Sequence, residues 1–192
     1  MPLILTAAPA VEPVSLAEAK AQLRVDETVE DALINSLILA ARLHVERALD
    51  AALIQQGWSL YLDAWPEDGA VSLPLGPVMA VNALRIYSAA DAALTLSADL
   101  YFVDTASPRA RIVPRGAGAW PLPGRAANGI EIAFTAGFGA SAANVPQILR
   151  QAILLLVAHW YEEREPIALG QSALAIPHMV SELIAPYRQV RL

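Results

Sequence analysis

The 192-residue chain contains no cysteine, which excludes disulfide bonds, thiolate nucleophiles and cysteine-ligated metals. Its three histidines, His44, His159 and His178, have no ligand-type spacing, so we expect no metal site and no other cofactor. Charged residues make up only 17% of the chain and the net charge is −6, whereas tight nucleic-acid binding usually needs a basic surface. The composition therefore disfavours metalloenzymes, thiol enzymes and strong DNA-binding proteins.

Long apolar runs are also missing. The most apolar stretch, residues 152–158, is far too short to cross a bilayer, so we expect no membrane association. The first ten residues lack the basic segment and apolar core of a signal peptide, so we expect synthesis in a cytoplasm. Yet 56% of the residues are apolar, which is high for a soluble monomer. A domain this apolar often covers part of its surface with a partner subunit.

The first fifty residues predict an arm followed by a helical hairpin. Residues 1–13 contain three prolines and predict an extended N-terminal arm. Ser15 followed by Glu18 is a capping box that begins a first helix. We expect this helix to end near Arg24, and Asp26 or Thr28 to cap a second helix. The hairpin occupies residues 14–50.

The second helix carries more apolar surface than one buried face needs. Its main stripe recurs at three- and four-residue steps and comprises Val29, Leu33, Ile34, Leu37, Ile38, Ala41, Val45, Ala48 and Leu49. Leu39 and Leu43 fall off that stripe and form a second apolar strip. This pattern predicts burial on two sides, by the domain itself and by a neighbour.

The hydrophobic period changes from helical to alternating over residues 56–136. This region predicts five or six short strands in a small, mostly antiparallel sheet. It is interrupted by a Gly- and Pro-rich loop at residues 114–128, which is long for a hairpin connection. A third helix, apolar on all sides in its middle, is expected over residues 145–165. A short last helix and tail occupy residues 177–192.

The predicted fold class is therefore α+β: a bundle of about four helices with an inserted antiparallel β region and extended loop and terminal arms. We expect residues 1–192 to form a single domain.

Few residues suggest chemistry. His159 and Glu163 share one helical face and would serve a small α+β hydrolase, but a histidine at the end of an apolar helix is more often structural. The loop and its flanks carry Arg109, Arg111, Arg115 and Arg125, which favour either a basic edge for DNA phosphates or a solvated hairpin. Trp120 lies in the same loop. We expect it to stand apart from the core as an interface anchor.

Three segments resemble the head-to-tail connector proteins of tailed phages, also called head-completion or adaptor proteins, which have relatives in gene transfer agents. The segments run from Val14 to Glu46, from Val145 to Glu162 and from Ile176 to Arg188. The first contains Glu-Asp-Ala-Leu-Ile at residues 30–34, and the second begins Val-Pro-Gln-Ile-Leu. The strand region matches least, and its sheet and arginine-bearing loop are longer than in compact members.

The resemblance implies a non-enzymatic structural adaptor. Family members form a ring, commonly of twelve copies, between the portal protein of a capsid and a tail-side stopper or terminator protein. The ring extends the channel through which double-stranded DNA passes transiently without tight binding. The resemblance thus implies a place at the head–tail junction of a virion or phage-like particle assembled in a bacterial cytoplasm.

Contact residues follow as hypotheses. We expect portal binding by the C-terminal residues Tyr187, Arg188, Val190, Arg191 and Leu192. We expect tail or neighbour contact by the loop residues Arg109, Arg111, Arg115, Trp120 and Arg125. No catalytic, cofactor or metal residues are expected.

Three functional hypotheses predict different behaviour. A hydrolase would need a pocket beside His159, and a DNA-binding module would show steeply salt-dependent affinity. An adaptor would remain folded without residues 177–192 but would no longer join capsids.

Overall fold

A computed structural model describes residues 1–107, 109–116, 120–163 and 177–188. The chain divides into two compact units. The β unit contains Met1–Pro9 and Gln55–Phe138, and the helical unit contains Ala10–Ile54 and Gly139–Leu192. The α+β class and the insertion of the β region between helices are confirmed. The expectation of a single domain stays a prediction.

The helical unit contains four α-helices among the described residues: α1 (Leu16–Leu23), α2 (Asp31–Leu49), α3 (Gln147–Glu162) and α4 (His178–Ile184). A 3-10 turn at Ala142–Asn144 precedes α3, and another at Ala185–Tyr187 follows α4. This number and order of helices agree with the sequence prediction.

The capping box of α1 is confirmed. The Ser15 hydroxyl accepts a hydrogen bond from the Glu18 amide at 3.2 Å, and the Glu18 carboxylate accepts one from the Ser15 amide at 2.9 Å. The hydrogen bonds that the Ser15 amide and then the Ser15 hydroxyl donate to this carboxylate lower the pKa of Glu18. α1 ends at Arg24, which has a left-handed backbone conformation with φ 57°.

The predicted cap of α2 is wrong. The residue before the helix is Glu30, and it makes no side-chain capping bond. The helix begins later than expected because the backbone first turns at Thr28, whose carbonyl accepts the Asp31 amide at 3.2 Å. Lys20 holds this turn by donating to Asp31 Oδ1 at 2.7 Å. Val29 therefore lies outside the helix and is 86% exposed, so it is not part of the buried stripe.

The core of the helical unit lies between α2 and α3. The α2 side chains at helical spacing that are almost completely buried are Ile34, Ile38, Ala41, Val45 and Leu49. Those of α3 are Leu149, Ala152, Ile153, Leu156 and Val157. Each large aliphatic side chain removed from water in this way stabilises the fold by about 1.5–3 kcal/mol.

The described part of the β unit forms two antiparallel sheets, rather than the single sheet expected. The first has the strand order β1-β2-β8-β4-β5 and the second β3-β7-β6. The strands are β1 (Leu3–Ala7), β2 (Gln56–Leu62), β3 (Val71–Ser72), β4 (Val78–Tyr87), β5 (Ala93–Thr95), β6 (Tyr101–Asp104), β7 (Arg111–Pro114) and β8 (Ile130–Ala136).

The predicted N-terminal arm is wrong for residues 3–7. They form strand β1, which pairs antiparallel with β2 and places Leu3 opposite Leu60 and Ile4 opposite Ser59. The Tyr61 amide extends this pairing by donating to the Pro2 carbonyl at 3.0 Å. An extended apolar segment lowers its free energy by satisfying its backbone groups at a sheet edge, a long-range contact that local sequence does not reveal.

Alternation along the central strands divides the five-stranded sheet into two faces. One face consists of aliphatic and aromatic side chains that are almost completely buried, among them Leu60, Leu84, Ile130, Ile132 and Phe134. The other face carries Ser59, Arg85 and Glu131 at the intervening positions. The apolar face forms the core of the β unit.

Candidate assembly surfaces

The strongest candidate contact surface of the helical unit is the outward face of α2. Leu39 and Leu43 lie one turn apart and are 43% and 52% exposed. Ala32 and Ser36 lie on the same face at helical spacing and are also exposed. We call these four uncharged residues the α2 strip. It coincides with the second apolar strip identified in the sequence, and its burial by a neighbour stays a prediction.

α3 also leaves apolar side chains partly uncovered. Ile148 is 36% exposed, and Leu154 and Leu155 are half-buried. The side chains of this helix that pack in the core are Leu149, Ala152, Ile153, Leu156 and Val157. α3 thus carries apolar surface that its own chain covers only in part.

Two arginines bind Glu12 and Pro13, the residues that lead into α1. Arg42 Nε donates to Glu12 Oε2 at 2.8 Å, and Arg150 Nε donates to the Pro13 carbonyl at 2.9 Å. Arg150 also pairs with the Glu18 carboxylate. The segment is therefore held to α2 and α3 by charged groups, which fixes where the hairpin begins.

The arginines around β7 do not form a free basic edge. Arg111, which is half-exposed, forms an ion pair of 2.9 Å with Asp104. Arg115 donates from Nε to the Tyr101 carbonyl at 2.8 Å, and Arg109 is half-buried. Hydrogen bonds from Ser107 and Arg111 lower the pKa of Asp104 to about 2, so this carboxylate is charged at neutral pH.

Arg125 is likewise engaged within the β unit. Its guanidinium lies 4.5 Å from the centre of the Tyr87 ring and 3.4 Å from the Asp91 carboxylate. These internal partners weaken the case for phosphate binding by the loop. Contact of the arginines with a tail protein or a neighbour stays a prediction.

The expectation that Trp120 stands apart from the core is wrong. Trp120 is only 8% exposed and stacks on Trp65 with 4.3 Å between ring centres and 11° between ring planes. Its indole N–H donates to the Gly69 carbonyl at 2.7 Å, and Tyr101 approaches at 6.4 Å between ring centres. Stacking and a satisfied N–H bury this side chain although neighbouring prolines and glycines suggest an open loop.

A buried polar cluster on the second face of the sheet was not identified from the sequence. Glu131 is 7% exposed and accepts hydrogen bonds from Tyr87 OH at 2.6 Å and Ser59 Oγ at 3.1 Å. Arg85 lies 3.2 Å from the same carboxylate. Burial raises the pKa of Glu131, but the hydrogen bonds and the arginine outweigh it and lower the pKa overall. The only sequence signal was an acidic residue inside an alternating strand.

The C-terminal hypothesis is only partly within the described residues. Tyr187 ends the 3-10 turn and is half-buried, and Arg188 is exposed. Val190, Arg191 and Leu192 lie outside the described residues. Within α4, Val180 is fully buried and Ile184 is 2% exposed. Their burial argues against the expectation that a subunit lacking residues 177–192 stays folded.

The two residues considered for a hydrolase, His159 and Glu163, lie close together in a helical ion-pair geometry. His159 Nε2 lies 3.3 Å from Glu163 Oε2, one turn further along the chain. Nearby, the rings of His44 and Trp160 meet edge to face at 6.0 Å. Within the described ranges, no group of three or more His, Asp or Glu side chains could hold a metal ion. None of the helices in these ranges is long and apolar enough to span a membrane.

Comparison with known proteins places this fold in a class. A model of the phage gp6-like head-tail connector proteins matches residues 13–91. A chain in the neck of an empty gene transfer agent particle, solved with C6 symmetry, is 35% identical over all of this chain and 97% of that chain, with a TM-score of 0.86. A chain in the virion of a native gene transfer agent particle is 34% identical over 100% of this chain and 97% of that chain, with a TM-score of 0.84.

A chain in the neck of the native particle, solved with C12 symmetry, gives 35% identity over 98% of this chain and 97% of that chain, with a TM-score of 0.76. Curated protein sequences show no match to the chain. The fold and these matches define a structural connector protein. In particular, the chain belongs to the family of phage gp6-like head-tail connector proteins.

Proposed function

We propose that this chain is a structural adaptor at the head–tail junction of a phage-like particle. In this proposal it forms a homo-oligomeric ring of twelve copies between the capsid portal and a tail-side stopper or terminator protein. The ring extends the DNA channel and provides the docking site for the tail. The observation that carries the proposal is the full-length similarity to a chain from the C12-symmetric neck of a gene transfer agent particle.

The exposed α2 strip supports ring formation. Leu39 and Leu43 are each about half exposed, and covering that surface would contribute about 1 kcal/mol per side chain. In a head-to-tail ring each subunit buries one face on each of two neighbours, and the exposed apolar side of α2 suits one of these two contacts. The partly covered apolar side chains of α3 support the same arrangement.

The charge of the chain supports a conduit rather than a DNA-binding protein. A net charge of −6 disfavours tight contact with DNA phosphates, and passage through a channel requires weak contact. Arg111, Arg115 and Arg125 already contact groups in their own β unit. DNA therefore passes transiently.

The remaining contacts belong to the same proposal. Tyr187 and Arg188 dock against the portal together with Val190, Arg191 and Leu192, because they follow the last packed helix and Arg188 is exposed. Arg111, the most exposed of the ion-paired loop arginines, contacts the tail side or a neighbour. Asp104 orients its guanidinium for that contact.

The direct test is electron microscopy of particles from a producing strain that lacks this chain and is complemented with a tagged copy. We expect the complemented particles to show a collar between portal and tail that carries the tag. We expect the strain without the chain to release heads without tails. A particle with an intact neck in the absence of this chain would contradict the proposal.

A shortened chain tests the portal contact separately. Because Val180 and Ile184 are buried, the truncation should remove only residues 189–192, combined with Arg188→Ala. We expect this variant to match the thermal stability of the parent chain but to be absent from purified heads. The single change Arg24→Ala, at an exposed arginine outside the C-terminal segment, is the matched control and should be incorporated normally.

A further inference from the structure

The five-stranded sheet has two edges that no other strand covers among the described residues. β1 forms one edge. At the opposite edge, β5 pairs only with Arg85–Tyr87 of β4, and the Leu96 amide donates to the Leu84 carbonyl at 2.8 Å. The outer side of Val78–Ala83 is therefore an open edge as well. We call these the β1 edge and the β4 edge.

Both edges lack the charged side chains and prolines that commonly keep an edge strand from pairing with another chain. Monomeric proteins usually protect exposed edges with charged side chains or proline. β1 reads Leu-Ile-Leu-Thr-Ala and the β4 edge reads Val-Met-Ala-Val-Asn-Ala, with neither a charge nor a proline. Ile4 and Leu5 are 50% and 45% exposed, and Met79 is 47% exposed. Such surface is expected to be covered by a partner strand.

The two edges lie level with each other across the sheet. Following paired residues through β2 and β8, one line runs from Ile4 to Ala83 and another from Ala7 to Ala80. β1 thus lies level with Ala80–Ala83, which is the part of β4 that β5 leaves open. Each stretch contains one irregularity, at Thr6 in β1 and at Asn82 in β4, so Ile4–Ala7 and Ala80–Ala83 have equal lengths and their levels match at both ends.

The strand directions also match. Each step from β1 through β2 and β8 to β4 is antiparallel, so β1 and β4 run in opposite directions. A copy rotated about an axis parallel to the strands would place its β1 antiparallel beside β4. Antiparallel pairing is the commoner kind and the slightly more stable one.

We propose that β1 of one copy pairs with the β4 edge of the next copy, so that the sheets join into a continuous band around the ring. This inference rests on the proposed ring. In a closed ring whose axis is parallel to the strands, neighbours are related by rotation without translation along the strands, so contacting edges must lie at one level, as these two do. Bulges at Met79 and Asn82 bend the β4 edge, so the added pairing is a short stretch at Ala80–Ala83 that includes the bulge at Asn82.

Disulfide trapping tests this pairing cleanly because the chain has no cysteine of its own. The double variant Ala7→Cys with Ala80→Cys places one thiol on each edge, at two exposed alanines. Within one copy these positions are three strand spacings apart, about 14 Å, whereas a disulfide needs Cα atoms within about 7 Å. A bond between them can therefore form only between copies.

Particles carrying the double variant are purified, oxidised and analysed on a non-reducing gel. We expect a ladder of cross-linked multimers of this chain, whereas either single variant should give no product larger than a dimer. A second double variant, Leu5→Cys with Val81→Cys, tests the next pair of residues that lie at one level across the sheet. A monomer band in both double variants, from particles whose necks are intact, would overturn the inference and leave the adaptor role standing.

Other results are equally decisive. Cross-linking to a different particle protein would also overturn the pairing between copies. Absence of the parent chain from particle necks would instead refute the proposed function itself.

A proline substitution tests the backbone contact independently of thiols. Pro2 directs its carbonyl toward β2, so alternation directs the Leu5 N–H away from β2. Leu5→Pro removes that outward donor while keeping the pairing with β2. We expect Leu5→Pro to fold with unchanged thermal stability but to reduce incorporation into particles at least tenfold. Leu5→Ala, which keeps the donor, should be incorporated; equal incorporation of both variants would contradict the pairing.

Discussion

Arg42 and Glu46 form an ion pair within α2, with 2.7 Å between Arg42 Nη1 and Glu46 Oε2, and their side chains are only 7% and 11% exposed. Glu46 uses its other oxygen to accept the Leu53 amide at 2.9 Å. Arg42 also reaches Glu12 at 2.8 Å. The Arg42–Glu46 pair thus binds both Glu12, which precedes the helical hairpin, and Leu53, which follows it.

Removing one partner of this pair should therefore lower the free energy of unfolding substantially. Arg42→Ala leaves the Glu46 carboxylate buried without its cation, which typically costs about 3–5 kcal/mol. Glu12→Ala, at a site that is 34% exposed, should cost about 1 kcal/mol or less. Urea unfolding followed by circular dichroism measures both values. Arg47→Ala, an exposed arginine on the same helix, is the control, and an equal loss in all three variants would contradict this account.

Local signals predicted the helical unit well. The Ser15–Glu18 box was identified correctly because both partners lie within one helical turn of each other. Leu39 and Leu43 were placed on a separate strip because helical geometry fixes their angle from the main stripe. The i,i+4 spacing of Arg42 and Glu46 is typical of an ion pair on an exposed helix surface, whereas this pair is buried. Their spacing reveals the pair, but their burial depends on Glu12 and Leu53, which the pattern of one helix does not show.

Long-range contacts account for what the sequence analysis missed. β1 became a strand rather than an arm because β2, whose paired residues lie 50 to 57 positions away, offers it an open edge. Trp120 became a core residue because Trp65 and Gly69 lie beneath it. Neither contact leaves a pattern in the neighbouring residues, so composition alone predicted an arm and a loop. The exposed apolar strip of α2 was predictable because one helix carries its whole pattern.

The ion pair between Asp104 and Arg111 predicts a pH dependence of stability. Ser107 and then Arg111 lower the pKa of Asp104 from 3.8 to about 2 in the folded chain. A lowered carboxyl pKa contributes stability above the unfolded value, and this contribution is lost as the pH falls through 2. The difference in unfolding free energy between the parent and Asp104→Asn should therefore shrink between pH 4 and pH 2. Glu67→Gln, at an exposed turn, is the control, and a difference that does not change with pH would contradict the assignment.

The hydrogen bond from the Tyr87 hydroxyl should lower the pKa of Glu131. It donates at 2.6 Å to a carboxylate whose pKa is raised by burial and lowered below its usual value by its hydrogen-bond partners. Tyr87→Phe removes the strongest of these donors, so the pKa of Glu131 should rise and the β unit should lose about 1.5–3 kcal/mol at pH 7. Carbon-13 NMR titration of the glutamate carboxyls measures the shift. Ser59→Ala, which removes the longer hydrogen bond, should give a smaller rise, and a fall in either variant would be contrary to expectation.

The Trp65–Trp120 stack should stabilise the β unit rather than bind a partner. Trp120→Ala removes a buried indole and leaves a cavity beside Tyr101, with an expected cost of about 3–5 kcal/mol. Trp120→Phe keeps part of the stack but loses the hydrogen bond to Gly69, so its cost should be intermediate. Urea unfolding measured by tryptophan fluorescence tests this order. Full stability of Trp120→Ala combined with loss of assembly would restore the interface interpretation.

The α2 strip should be required for ring assembly but not for folding. Leu39→Glu combined with Leu43→Glu places two carboxylates where we propose that a neighbour packs. Burying unpaired charges costs several kcal/mol per interface, which the modest gain from the original leucines cannot offset. In the free subunit both positions are about half exposed, so the thermal stability should change little.

The control for the α2 strip is Leu39→Met with Leu43→Met, which keeps the apolar surface and should assemble normally. Incorporation into particles, measured against the capsid protein on gels, separates the variants; normal incorporation of the glutamate variant would show that this face does not contact a neighbour.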